Sequence, residues 1–171
     1  MSGTPGGSGS SATNDRVEAA APASVQARAM RQAETREPSV RIDRVHARSV
    51  DAQRVNVASA YIFVAPENLG ALSGVMKEFF DRTYYGVLDR VAGRAYAVII
   101  AAGSDGHGAA RQLERIATGW RLRPVAEPLI VITRAQTAEA ILAPKRVGRD
   151  ELDRASDLGA AMAQGLSMGI F

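Results

Sequence analysis

Two short stretches hold most of the residues whose types and spacing can do chemistry. The first is Ala65-Pro66-Glu67-Asn68-Leu69-Gly70 and the second is Gly103-Ser104-Asp105-Gly106-His107-Gly108; each directly follows an apolar run. Gly103, Gly106 and Gly108 carry no Cβ, so a flat ligand has room to lie against their main chain. Asn68 and Asp105 are short polar residues of the kind that orient turns. Backbone N–H groups beside a helix start suit electron-rich atoms. Together the two stretches predict a pocket for a planar, acceptor-rich ring. The glycine spacing is G-x-x-G-x-G and not the G-x-G-x-x-G of a dinucleotide loop; counted from Gly106, Arg111 falls on the third glycine position, which argues against such a site. Ser73 has no G-x-S-x-G elbow around it and reads as a helix cap. His46 and His107 are the only histidines and there is no cysteine, so no metal centre is expected. His107 reads as a solvated loop residue. Arg111, Glu114 and Arg115 read as a solvated helix face, with Arg111 available to a phosphate-bearing reductant.

These residues must be positioned by ordinary elements, and the composition bounds which. The chain has 171 residues, the size of one domain. With 46% hydrophobic and 23% charged residues it is globular in character. The absence of cysteine excludes disulfide frameworks, iron–sulfur ligation and a catalytic thiol, and it suits a reducing, cytoplasmic setting. No apolar run is long enough to span a bilayer, and the start, MSGTPGGSGSS, has neither a basic n-region nor an apolar h-region. Neither a membrane nor nucleic acid is expected as a partner: the net charge is only +3, and the basic residues are spread along the chain and not gathered in a stripe.

Residues 1–13 are nearly all Gly, Ser, Thr and Pro and read as a flexible arm; residues 14–171 read as one domain. A helix capped by Asn14 or Asp15 is expected to break or kink at Pro22. In residues 39–46, Val40 and Ile42 alternate with charged side chains, predicting a strand covered on one side. A short helical stretch follows at 51–58. Residues 60–64, 95–102 and 128–133 are continuous apolar runs of the kind buried in parallel sheets. Between and after them, residues 72–85, 109–118 and 151–168 carry helical periodicity. In the last of these, Leu152, Ala155, Gly159, Met162 and Leu166 form an apolar seam. Tyr84 and Tyr85 read as core packing or a contact between subunits, and Trp120 as filling between helix and sheet. Strand–helix alternation indicates an α/β fold with a parallel sheet, whose ligands lie beyond the carboxyl ends of the strands.

The segment Pro66-Glu67-Asn68-Leu69-Gly70, continuing through Ser73-Gly74, Lys77 and Phe79-Phe80-Asp81-Arg82, resembles the ring-binding loop and following helix of the flavodoxin-like NAD(P)H-dependent FMN reductase and quinone reductase superfamily. Gly103-Ser104-Asp105-Gly106, followed by Arg111, Glu114, Arg115 and Trp120, resembles that superfamily's next block. The resemblance covers about residues 39–171. It implies a three-layer sandwich with a parallel sheet of order 2-1-3-4-5 and an FMN whose ring contacts Pro66, Glu67, Asn68, Leu69 and Gly70 on one side and Gly103, Ser104, Asp105 and Gly106 on the other. It also implies NAD(P)H as reductant, hydride passage through flavin N5 and a quinone or flavin acceptor, in a possible homo-oligomer. The family's first strand and its Ser/Thr-Gly phosphate loop have no clear counterpart. No apolar run precedes residue 40, and Thr4-Pro5-Gly6-Gly7-Ser8 is a faint echo of the loop. The expectation is a domain without its first strand, either because the chain starts further upstream or because it is a degenerate member acting as a non-catalytic binding partner or scaffold.

Overall fold

The computed structural model describes residues 21–171. Among these residues four strands form the parallel sheet. β1 (Ala60–Asn68) pairs with β3 (Ala95–Ala102) in parallel, Ala60 opposite Ala95 through Pro66 opposite Ala101. The other side of β3 is shared by β4 (Arg123–Pro124) and β5 (Leu129–Ile132), which pair with its beginning and its end respectively. Pro124 and Pro128 bracket the gap between those two; a residue without an N–H cannot carry a ladder through. β2 (Ala71–Leu72) turns back antiparallel on the last two residues of β1.

Helices cover both faces. Tyr96, Val98 and Ile100 of β3 point to one side, Ala95, Ala97 and Ile99 to the other, as a period of two requires. On the first side α3 (Gly74–Val87) and α4 (His107–Gly119) close over Phe63, Phe79, Phe80 and Trp120, whose rings lie 5.0–6.5 Å apart in tilted and edge-on pairs. Trp120 is wholly buried there, the filling role its sequence position predicts. On the second side α1 (Ala21–Arg36) and α6 (Arg149–Ser167) pack on each other and on Ile99, Leu129 and Val131. Gly159 of the predicted seam lets the two helices touch: a Cβ there would collide with the Ala29 carbonyl. The result is a three-layer α/β sandwich.

Several expectations are corrected. Within the described residues α1 runs unbroken from Ala21 to Arg36, past Pro22. The Asn14 or Asp15 cap lies outside the described residues, as does the 1–13 arm. Residues 39–46 are irregular and not a strand. A strand needs a ladder partner, and none faces them among the described residues; Val40 and Ile42 are only half-buried. Of the order 2-1-3-4-5, the half formed by strands 3, 4 and 5 is present as β1, β3 and the β4/β5 pair. The stretch at 51–58 is α2 (Ala52–Val57), capped by Asp51 Oδ1 accepting from Arg54 N at 2.8 Å. It is preceded by a single 3-10 turn at Ala47–Ser49, where His46 Nδ1 accepts from Arg48 N. Ser73 occupies the N-cap position of α3, yet its side chain makes no capping hydrogen bond. A short α5 (Ala138–Leu142), which periodicity did not reveal, precedes α6.

Candidate functional site

The site forms where β1, β3 and β5 end on the same edge of the sheet. β1 leaves through a two-residue turn. Leu69 (φ 53°) and Gly70 (φ 72°) are both left-handed, and Asn68 pairs across them with Ala71. Two consecutive positive φ angles are the signature of the tight hairpin whose twist suits its strands. Leu69 stands fully exposed at the tip, Asn68 is exposed beside it, and a Cβ added at Gly70 would meet nothing.

β3 leaves through residues 103–106. Ser104 and Asp105 are exposed, while Gly106 is buried, left-handed at φ 87° and the N-cap of α4. The direction a side chain would take from each glycine here is filled by the protein itself. A Cβ at Gly103 would lie 2.7 Å from the Ala135 carbonyl oxygen, one at Gly106 would lie 2.6 Å from Ile130 Cγ2, and one at Gly108 would collide with the Gly70 carbonyl. Their missing side chains admit the chain itself. Both backbone groups of Gly106 are also committed: its N–H donates to Glu67 Oε2 at 2.8 Å, and its carbonyl accepts from Ala110 N.

Glu67 therefore joins the two loops. Its second oxygen, Oε1, is buried with no hydrogen-bond partner among the described residues, close to where a Gly108 side chain would begin. Gln112 of α4 adds a further stitch, its Oε1 accepting from Leu72 N at 2.8 Å. Pro66 sits half-buried inside β1, opposite Ala101 of β3. His107 is exposed at the start of α4, and Arg111 and Arg115 are exposed further along. Among the described residues no group of three His, Asp or Glu side chains could hold a metal ion.

A third wall escaped the sequence reading. Residues 133–137 follow β5 and fold against Gly103. Thr133 N and Oγ1 both donate to the Ala102 carbonyl, at 2.8 and 3.0 Å, and Arg134 is left-handed at φ 55°. The signal was available, since residues 128–133 read as a strand and the loop after every parallel strand belongs to the same edge.

The edge thus offers an apolar tip, an open glycine and the exposed polar side chains of Asn68, Ser104 and Asp105 on packed loops.

A flavodoxin-like protein is the class this fold and edge define. In keeping with that, the chain superposes on a flavodoxin from the domain Archaea with a TM-score of 0.65 at 12% identity, over 84% of this chain and 89% of that one. It also superposes on an NADH:FMN oxidoreductase in its apo form (TM-score 0.62, 15% identity, 90% and 84% covered). A third likeness is to the NAD(P)H:quinone oxidoreductase from Methanothermobacter marburgensis (TM-score 0.52, 16% identity, 81% and 90% covered). No curated protein sequence matches the chain. A sequence profile of the NADPH-dependent FMN reductase family matches residues 14–137, and the chain belongs to that family. Membership places it among FMN-dependent oxidoreductases in general. No helix among the described residues is long and apolar enough to cross a membrane.

Proposed function

We propose that the chain is an NAD(P)H-dependent FMN oxidoreductase of the quinone- or flavin-reductase type, with its flavin ring seated between the 68–70 turn and the 103–105 loop. The observation that carries this reading is Leu69. A leucine held left-handed costs about 1–2 kcal/mol, and here its side chain is fully exposed, with no burial among the described residues to offset the cost. Local strain of this kind marks ligand sites. An apolar tip beside an open Gly70 suits the face of a flat aromatic ring.

The residues present fit the ring. Leu69 and Gly70 would meet its face and edge, with the backbone of Asn68 close by. Backbone groups of Gly103 and Ser104 and the Asp105 side chain would serve its polar rim. Pro66, Glu67 and Gly106 serve the site by holding these loops in place. The phosphate-loop echo at 4–8 lies outside the described residues. When bound, FMN supplies a carrier that takes a hydride at N5 and passes electrons to a small acceptor. The protein's own part is to orient the ring and keep one face open. The same reading places the enzyme in the cytoplasm as a homo-oligomer, and exposed Tyr85 offers an aromatic contact for a second copy.

The test uses Leu69→Asn, since asparagine tolerates the left-handed region. Full-length protein should quench FMN fluorescence saturably and oxidise NADH or NADPH when a quinone or free flavin is supplied. Leu69→Asn should bind FMN about tenfold more weakly while its urea midpoint stays level or rises. A variant that gains stability and binds FMN as the parent does would remove the reason for this placement. Absence of FMN binding by the parent would favour the non-catalytic scaffold.

A further inference from the structure

We infer that Glu67 is a positioning residue: its carboxylate caps α4 from across the sheet edge and fixes the separation of the two loops that form the cleft. The reason lies in what α4 lacks. Its N-cap is Gly106, which has no side chain and makes no capping bond of its own. The first N–H groups of a helix have no intrahelical partner. One of them, Gly106 N–H, is taken by Glu67 Oε2 at 2.8 Å, from a residue 39 positions earlier in the chain. The negative carboxylate also sits at the positive end of the helix dipole. Oε1, with no partner of its own, lies against the first turn of α4 near Gly108.

The remaining contacts make the strut rigid. The Gly70 carbonyl rests on Gly108 so closely that only glycine fits, and Gln112 holds Leu72 N. These contacts tie the hairpin tip to the first turn of α4, so the spacing of residues 68–70 from the start of α4 is set before any ligand arrives. Preorganisation of this kind strengthens binding by removing an ordering cost. The inference depends on the flavin reading above only for what occupies the cleft.

Two measurements separate the two ideas. Amide hydrogen exchange on the full-length chain without FMN reads the strut directly. In Glu67→Ala the Gly106 amide should exchange about tenfold faster, with the first turn of α4 following. In Glu67→Gln, whose amide oxygen still accepts, the rise should stay below about fivefold. FMN titration then reads the consequence: Ala weakens binding about tenfold and Gln by less than about threefold. If Ala does not fold, Glu67→Asp, one methylene too short to reach, should show the same rise at Gly106. Unchanged exchange in Ala or Asp overturns the strut. So does a Gln variant that binds FMN as poorly as Ala, which would make the charge itself the ligand contact. If exchange responds as stated and the parent binds no FMN, the strut stands and the flavin reading fails.

Discussion

Glycine at a loop has two opposite explanations, and residues 70, 106 and 108 separate them. Gly70 faces open space, whereas Gly106 and Gly108 are filled in by Ile130 and by the Gly70 carbonyl. Gly70→Ala should therefore cost only its backbone strain, about 1 kcal/mol. Gly106→Ala carries the same strain plus a contact of 2.6 Å with Ile130 Cγ2 and should cost about 2–4 kcal/mol; Gly106→Val should cost more. Urea denaturation of the three variants gives the ordering. Equal losses at 70 and 106 would mean that the 103–106 loop yields easily and is not the packed wall described. The motif around these residues was legible in the sequence, because Pro66 to Gly70 ends β1 and Gly103 to Gly106 follows β3. The reason for each glycine was not: what a missing Cβ makes room for depends on neighbours distant in the chain, such as Ile130 for Gly106 and Ala135 for Gly103.

The elements were legible where burial on both faces left no ambiguity. Residues 60–64, 95–102 and 128–133 are dominated by apolar side chains; the first opens β1, the second is β3 and the third contains β5. Residues 39–46 have the right alternation and no partner, and alternation alone cannot supply one. What joins the elements at the opposite end of the sheet was also hidden, because it rests on a single arginine with no motif around it. Arg94, between α3 and β3, is half-buried. Its Nη1 donates to the carbonyls of Asn56 at 2.8 Å and Ala58 at 2.5 Å and to the Tyr61 hydroxyl at 3.1 Å. It thereby closes the C-terminal end of α2, where a cation is favoured. Arg94→Met should lower stability by about 2–3 kcal/mol, read as a fall in the thermal midpoint, with the FMN affinity of the folded fraction unchanged. Loss of FMN affinity at full stability would show that this end communicates with the cleft. Tyr61, in the same cluster, is a pH marker. Burial pushes its phenol above the usual value of 10.0, opposed in part by Arg94. The folded state therefore holds that proton more tightly than the unfolded chain. The associated stability is fully present below pH 10 and declines as pH rises beyond it. Tyr61→Phe should flatten the decline in urea midpoint above about pH 10; an unchanged slope would assign it to other groups, Tyr96 among them.

The sheet as a whole is asymmetric, and that asymmetry sets the sharpest expectation for the intact molecule. β3 is buried along its entire length, with β1 on one side and β4 and β5 on the other. β1 pairs inward with β3. Among the described residues its outward edge meets only β2, at Glu67 and Asn68. In a parallel strand, alternate residues direct their N–H to opposite edges. Every second amide between residues 60 and 66 therefore faces away from β3. An unpaired backbone edge between apolar layers invites another strand, and here the layers are supplied by Ile62 and Val64 towards α1 and Phe63 towards α3. Hydrogen exchange on the full-length chain should show uniformly slow amides from Ile99 to Ala102, which are flanked on both sides. In β1, slow and fast amides should alternate with a period of two, the fast set exchanging by local opening and not by global unfolding. Raising the protein concentration should leave that pattern unchanged if the edge stays free. Uniform protection along β1 at every concentration would show that another part of the same chain completes the sheet. Protection that grows with concentration would instead identify the edge as a seam between copies.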